Sequence, residues 1–226
     1  MMMRTNDMAG KGIFISVEGG DGSGKSTQFW NIKRYFDERG IKALFLREPG
    51  STPIGEKIRE ILLDRGNSEM TPETEALLYA ASRAQLVREK IIPAIKAGGV
   101  VVCDRFVDSS IAYQGYGRML GEPVRKINAF ATGGILPDLT FFLDIAPEAA
   151  EKRMDNPDRA ARDRLEVETR DFRRRVYNGY LALLREDSEK GVGKRFVIID
   201  ASKSPEEVWK AISDSLDAFL DGAERQ

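Results

Sequence analysis

Short apolar runs alternate along this chain with longer stretches of helical periodicity. Each run is only four or five residues long and is dominated by hydrophobic side chains, which is typical of strands buried on both faces of a sheet. The predicted strands are 13–17, 43–46, 100–103, 139–143 and 196–199. The predicted helices are roughly 25–39, 53–64, 72–97, 107–116, 123–132, 147–154, 165–190 and 204–221.

Regular alternation of strands and helices predicts crossover connections, and therefore a mostly parallel sheet with helices on both faces. We expect an α/β fold of three layers around five strands. Thr71-Pro72 and Ser204-Pro205 combine an N-cap residue with a first-turn proline, which supports two of the helix starts. A chain of 226 residues suits one sizeable core. We predict a mobile leader over 1–11 and a single domain over 12–226.

Composition excludes several classes of protein. The net charge is −1, whereas a protein that binds nucleic acid through its phosphates is normally much more basic. The chain has no histidine and one cysteine, Cys103, so disulfides, Cys/His zinc sites and imidazole bases are excluded. No apolar stretch reaches the length of a membrane span, and the first residues lack a signal-peptide pattern. We therefore expect a cytoplasmic protein without nucleic-acid or membrane partners.

The strongest motif follows the first predicted strand. Residues 19–26 read Gly-Gly-Asp-Gly-Ser-Gly-Lys-Ser and fit the phosphate-loop pattern G-x-x-x-x-G-K-[ST]. Glycines let backbone N–H groups converge on a phosphate, and the following helix adds its positive end. Lys25 would reach the β- and γ-phosphates, and the Ser26 hydroxyl would hold Mg²⁺. The predicted ATP site comprises Gly19, Gly20, Asp21, Gly22, Ser23, Gly24, Lys25, Ser26 and Thr27.

A phosphate loop serves GTPases, motor ATPases and kinases of small molecules alike. The Asn-Lys-x-Asp segment that reads guanine is missing, which argues against a GTPase. A kinase needs a second, cationic site for the phosphate acceptor. Three clusters qualify for this site, over 47–52, 78–85 and 104–114.

Two of these clusters follow predicted strands, at the sheet edge where open parallel sheets bind ligands. Tyr79 and Arg83 are four residues apart and therefore share one face of a helix. Each residue also has an alternative interpretation. Tyr79 could be a core-edge aromatic, the arginines of the first two clusters could pair with Glu48 and Glu75, and Asp104 could be a structural cap.

Together with the phosphate loop, these clusters resemble the thymidylate kinase family. The most specific piece is 104–113, which matches Asp-Arg-aromatic-x-x-Ser-x-x-Ala-Tyr, and 136–140 and 163–166 also fit. The resemblance implies the P-loop NTPase fold, a homodimer, and in-line phosphoryl transfer from ATP to dTMP with Mg²⁺ in dTTP biosynthesis. The alternatives are another P-loop nucleotide or nucleoside kinase, or a nucleotide-dependent switch.

The resemblance also implies roles for individual residues in dTMP binding. Asp21 would hold the sugar 3′-hydroxyl, Arg47 and Arg105 the phosphate, Tyr79 would stack on thymine, and Arg83 would face its carbonyl edge. Ser109, Ser110 and Gln114 would border the base, with Tyr113 near the 2′ position. Ser26 and Asp104 would face the metal, and residues 200–202 would begin the adenine-binding loop.

Residues 151–175 carry nine basic and seven acidic side chains, too many charges for a core. This segment is either a solvated helix face or contains a mobile arginine-rich lid, which we place at about 151–164. Some members of the family carry a catalytic arginine in the phosphate loop, where this chain has Gly22. The resemblance therefore implies that lid arginines assist catalysis. The predicted catalytic residues are Lys25, Arg105, Arg153, Arg159 and Arg162.

Overall fold

The computed structural model describes residues 12–154, 163–189 and 194–223. Its five strands form one sheet in the order β2-β3-β1-β4-β5, and every pair of neighbours is parallel. The predicted α/β class is therefore confirmed. The strands are β1 (Ile13–Glu18), β2 (Ala43–Arg47), β3 (Val100–Asp104), β4 (Leu139–Asp144) and β5 (Phe196–Asp200).

Each strand extends one residue beyond its predicted end, and in all five that residue is charged: Glu18, Arg47, Asp104, Asp144 and Asp200. These residues still pair across the sheet, as Arg47 does with Asp104 and Asp144 with Asp200. Backbone pairing does not require an apolar side chain. The apolar pattern therefore predicted the end of each strand one residue too early. The carboxyl edge of the sheet is consequently lined with charge.

Helices cover both faces of the sheet. They are α1 (Lys25–Glu38), α2 (Pro53–Leu63), α3 (Pro72–Leu86), α4 (Ile92–Lys96), α5 (Val107–Ser110), α6 (Glu122–Thr132), α7 (Pro147–Met154), α8 (Arg170–Glu189) and α9 (Pro205–Ala223). Two π-helical turns, Val87–Ile91 and Ile111–Gly117, continue α3 and α5. The predicted helix over 72–97 thus changes its hydrogen-bond ladder just before Pro93, which has no N–H to donate.

One helix start was predicted wrongly. The helix expected from 165 begins only at Arg170, because Asp163 organises a separate turn before it. Its Oδ1 accepts hydrogen bonds from the backbone N–H groups of Leu165 and Glu166, both at 2.9 Å. Aspartate competes in this way with the helical ladder.

The core has one hydrophobic cluster on each face of the sheet. Along β1, Ile15 and Val17 pack towards α1 and α9, whereas Phe14 packs towards α3 and α8. Cys103 is buried in the second cluster, as expected for a small apolar side chain. The edge strands β2 and β5 are only partly buried, so the expectation that every strand is covered on both faces is wrong for these two.

Candidate active site

The phosphate loop connects β1 directly to α1. Gly24 ends it at φ +92°, a left-handed conformation that favours glycine. Lys25 Nζ donates to the carbonyl oxygens of Gly19 at 3.0 Å and Gly20 at 2.8 Å. Burial, together with the charge of Arg105, lowers the pKa of Lys25 to about 8. The ammonium group therefore lies inside the loop and remains protonated near neutral pH.

Gly22 is packed against α7. Its φ is +80°, and a Cβ at this position would lie 2.6 Å from Ala150 O and 2.9 Å from Met154 Cγ. The loop therefore has no room for a larger side chain here, arginine included. This contact gives a physical reason for the glycine that the sequence carries at this position.

The loop and the three clusters meet around one cleft of about 640 Å³. Most of the predicted site residues line it: Asp21, Gly22, Ser23, Gly24, Lys25, Ser26, Thr27, Arg47, Tyr79, Arg83, Asp104, Arg105, Ser109, Ser110, Tyr113, Gln114 and Arg153. Gly19 and Gly20 lie beneath Lys25 and accept its hydrogen bonds. Arg159 and Arg162 lie outside the described residues.

Arg105 joins the loop to the acceptor cluster. It donates to Gly19 O at 3.0 Å and Asp21 Oδ1 at 2.5 Å, and also to Ser109 Oγ and Tyr113 OH, both at 3.1 Å. Burial lowers the pKa of Arg105, but Tyr113 and Asp21 outweigh this effect and raise it well above its usual value. Arg105 is therefore a permanent cation at the centre of the cleft.

Arg83 is buried in the cleft wall. It donates to Glu48, Asn128, Ser110 Oγ at 2.8 Å and Phe106 O at 3.0 Å. Burial raises the pKa of Glu48 even though Arg83 opposes the shift. These bonds fix the guanidinium on α3 in one orientation.

The alternative ion pairs considered from the sequence have the wrong partners. Arg47 pairs with Glu56 at 2.9 Å and not with Glu48, while Arg83 pairs with Glu48 and not with Glu75. Both arginines nevertheless line the cleft, and Arg47 remains half-exposed. Pairing with a carboxylate does not remove them from the site.

Four buried side-chain atoms lack a hydrogen-bond partner within the described part of the chain, and all four belong to residues that line the cleft. They are Ser23 Oγ, Glu48 Oε1, Arg83 Nε and Asp104 Oδ1. A buried polar group left unpaired costs about 1–3 kcal/mol. Their concentration in one cleft indicates a site for a polar ligand.

Ser26 and Asp104 fit a magnesium ion by their chemistry. A hydroxyl and a carboxylate are hard oxygen ligands, and Mg²⁺ in nucleotide sites typically takes one or two carboxylates together with substrate phosphates and water. Asp104 Oδ1 is one of the buried atoms without a partner in the described chain. Both residues line the cleft.

The partners of Glu75 could not be identified from the sequence. This buried carboxylate accepts hydrogen bonds from Gln114 Nε2 at 2.9 Å, Arg118 Nη2 at 2.9 Å and Arg164 Nη2 at 2.6 Å. Burial alone would raise its pKa, but the bonds from Arg118, Gln114 and Arg164 lower it below its usual value. Arg164 is itself buried, as are Met154 and Phe172, so the expectation that residues 151–175 carry too many charges to form core is wrong at these positions.

The amino-terminal end of the predicted lid contacts the loop after β5. Arg153, on α7, donates to Ser202 O at 3.3 Å, and Ala201 and Lys203 line the cleft next to it. Arg153 therefore lies beside the loop after β5, where the adenine-binding loop is predicted to begin.

The sheet is parallel and five-stranded, and the phosphate loop follows its central strand. Cationic residues lie at its carboxyl edge. Together these features define the class of P-loop phosphotransferases. The family model described as "Thymidylate kinase" matches residues 17–212. This chain belongs to the thymidylate kinase family.

Proteins named thymidylate kinase are similar to this chain over nearly its whole length. The thymidylate kinase of Thermoanaerobacter sp. (strain X514) is 51% identical over 211 residues, covering 93% of this chain and 100% of the relative. Those of Caldanaerobacter subterraneus subsp. tengcongensis and Pelotomaculum thermopropionicum are 47% and 46% identical, and each comparison covers at least 94% of this chain and 99% of the relative. Among the described residues, none of the helices is both long and apolar enough to cross a membrane.

Proposed function

We propose that this protein transfers the γ-phosphoryl group of ATP to dTMP in the presence of Mg²⁺, and so supplies dTDP for dTTP synthesis. The family supports this function. The observation that carries it is one cleft in which the phosphate loop, the three arginine-containing clusters and four buried polar atoms without partners in the described chain converge.

The phosphate loop forms the donor side. Its backbone N–H groups and Lys25 would bind the β- and γ-phosphates, and Lys25 would exchange its two loop carbonyls for phosphate oxygens. Ser26 and Asp104 would hold Mg²⁺, which neutralises phosphate charge when bound. The loop after β5 lies beside the cleft and would receive adenine.

Arg105 and its neighbours form the acceptor side. Arg105 and Arg47 would bind the dTMP phosphate, Asp21 the 3′-hydroxyl, and Tyr79 would stack on thymine with Arg83 at its carbonyl edge. Ser109, Ser110, Tyr113 and Gln114 would complete the sugar and base site, which these residues line. Acceptor and donor are adjacent because Arg105 contacts both Gly19 and Asp21.

The chemistry requires no general base. A dTMP phosphate oxygen is already anionic; it would attack the γ-phosphorus, the bond to the β–γ bridging oxygen would break, and ADP would leave. Two anions repel each other on approach, so the protein's task is to align them and offset their charge. Lys25 would do so from the phosphate loop and Arg105 from the turn after β3. Arg153, Arg159 and Arg162 would add charge when the lid closes.

An assay of ADP release in the presence of ATP and Mg²⁺ tests this function. We expect rapid turnover with dTMP and much slower turnover with dUMP, dCMP, dGMP or thymidine. Preference for another acceptor would identify a different nucleotide or nucleoside kinase. Absence of turnover with every acceptor would indicate a nucleotide-dependent switch instead.

We further propose that the protein is a homodimer, as the family resemblance implies. The neighbouring helices α2, α3 and α6 expose the apolar side chains of Ile61, Leu77 and Phe130, the last to 87%. Sedimentation should give twice the chain mass for the wild type, and Phe130→Glu should shift it towards the monomer. A wild type that sediments as a monomer at every concentration would contradict this proposal.

A further inference from the structure

Glu18 is a buried carboxylate that the proposed reaction does not use. It is the last residue of β1, and its side chain is fully enclosed. Oε1 accepts a hydrogen bond from Phe106 N at 2.7 Å, and Oε2 accepts from Ser109 Oγ at 2.6 Å and Tyr180 OH at 3.0 Å. Two of these three donors belong to the turn and helix that follow β3.

The turn that Glu18 contacts carries Arg105 in an unfavourable backbone conformation. Arg105 has φ +67°, in the left-handed region that favours glycine. Such a conformation persists only where surrounding contacts hold it. Glu18 fixes the N–H of the next residue, Phe106, and Arg83 Nη2 fixes the carbonyl of the same residue at 3.0 Å.

A second connection runs through Ser109 to the guanidinium itself. The Ser109 hydroxyl donates its proton to Glu18, and its oxygen accepts a hydrogen bond from Arg105 Nη1 at 3.1 Å. Glu18 thus orients the Ser109 hydroxyl and holds its oxygen within hydrogen-bond distance of Arg105.

We infer that Glu18 is a positioning residue, which holds Arg105 in the geometry that binds the acceptor phosphate through the Phe106 amide and the Ser109 hydroxyl. The inference rests on the proposed function, in which Arg105 binds that phosphate. Glu18 itself would touch neither nucleotide. The purely structural alternative is a buried carboxylate that only stabilises the fold.

Glu18→Gln keeps the size of the side chain and changes the hydrogen bonding. The glutamine oxygen still accepts from Phe106 N, but its NH₂ group is a donor where the carboxylate oxygen accepted from the Ser109 and Tyr180 hydroxyls. Neither hydroxyl can donate to it, so Ser109 is no longer held in the orientation in which it accepts from Arg105. Burial and Asp108 raise the pKa of Glu18 to about 7. The comparison is therefore made at pH 8.5, where the wild-type carboxyl is ionised. At this pH we expect at least about tenfold weaker dTMP binding by calorimetry in the variant, because a charged hydrogen-bond system is lost.

Further measurements separate positioning from stability. The ATP dissociation constant of Glu18→Gln should change less than about twofold, and inhibition by thymidine, which lacks the phosphate, should stay at the wild-type level. Ser109→Ala should weaken dTMP binding more than thymidine binding, because any direct contact of Ser109 with the base or sugar is common to both ligands. The double variant should show no larger difference between the two ligands than Glu18→Gln alone, since both residues act on one bond. Ser16→Ala is the control, because it removes a different buried hydrogen bond on β1, to Thr140 at 2.9 Å; it should lower the melting temperature and leave dTMP affinity unchanged.

The outcomes are distinct. A wild type that does not phosphorylate dTMP refutes the proposed function before any variant is made. If the wild type is active, an unchanged dTMP affinity in Glu18→Gln overturns the inference, as does an equal loss of ATP, dTMP and thymidine binding. An additive increase of the difference between dTMP and thymidine affinity in the double variant overturns it as well. Should Glu18→Gln fail to fold, Ser109→Ala decides, because equal losses of dTMP and thymidine affinity contradict action through Arg105.

Discussion

Arg105 Nη2 lies 2.5 Å from Asp21 Oδ1, although the two residues are 84 positions apart in the chain. Asp21 belongs to the phosphate loop after β1, and Arg105 to the turn after β3. The pair forms because these two strands are neighbours in the sheet. One ion pair therefore joins the phosphate loop to the turn after β3, and under the proposed function a change in either residue should affect the distance between the two bound phosphates.

Lys25→Ala should lower kcat on the order of 100- to 1000-fold, because it removes a preorganised cation from the transferring phosphates. The measurement is the steady-state rate of ADP release, with the melting temperature as a check on folding. Lys33→Ala is the matched control, since Lys33 lies on the same helix, pairs with Asp37 at 2.7 Å and is not among the residues that line the cleft. Normal turnover in Lys25→Ala would refute the assignment of the phosphate loop.

Arg105→Ala should weaken dTMP binding about 10- to 100-fold, the cost of losing a charge-assisted phosphate contact. ATP binding should change much less, because the proposed function assigns the donor phosphates to the loop and Lys25. Calorimetry with each nucleotide separately measures both effects. Arg174→Ala, which removes an exposed arginine paired with Glu148, should change neither affinity. Equal losses for the two nucleotides in Arg105→Ala would contradict the acceptor role.

Replacing Arg153, Arg159 and Arg162 together by alanine should lower kcat on the order of 10³-fold, as arginines that act only in the transition state do. The affinity for dTMP should change only modestly. Single-turnover kinetics with ATP and dTMP measure the transfer step directly. A triple variant of the exposed arginines Arg34, Arg65 and Arg174 removes the same charge and should retain the wild-type rate. A normal rate in the lid variant would mean that its arginines only solvate a helix.

Gly22→Ala should destabilise the protein by about 1–3 kcal/mol, because a side chain at positive φ must also displace α7. The clash is with Ala150 O, 2.6 Å from the added Cβ. Urea unfolding measures the loss. Gly20→Ala is a neighbouring control: its Cβ would meet nothing within 4 Å, so its unfolding free energy should stay near the wild-type value. Equal stability of the two variants would show that α7 does not restrict the loop.

Stability should depend on pH through Glu18. Its pKa is raised from 4.5 to about 7, chiefly by burial and then by Asp108. Because the folded protein holds this proton more tightly than the unfolded chain does, protonated Glu18 stabilises the folded state. This contribution is complete below pH 4.5, the pKa in the unfolded chain, and is lost as the pH rises through about 7, the pKa in the folded protein. The unfolding free energy of the wild type relative to Glu18→Gln should therefore fall between pH 5.0 and 7.5. Parallel urea titrations of the two proteins measure the difference, and a constant difference across this range contradicts the prediction.

Those features that depend on neighbouring positions in the chain could be predicted from the sequence. The alternation of apolar runs and helical stretches indicated the parallel sheet, and residues 19–26 indicated the phosphate loop. The clusters at 47–52 and 104–114 follow β2 and β3, and the carboxyl ends of parallel strands meet at one edge, so their convergence was also predictable. Tyr79 and Arg83 were expected on one helix face, and both line the cleft.

Tertiary structure alone decided the partners of the buried charges. Glu18 finds Phe106 and Ser109 only because β3 lies beside β1, and Arg164 reaches Glu75 across 89 positions of the chain. The packing of α7 against Gly22 is of the same kind. A buried charge takes whichever partner the packed layers bring within hydrogen-bond distance, and that partner leaves no periodic trace in the sequence. Local pattern therefore determined where the site lies, whereas the order of strands and the packing of helices determined how its side chains are held.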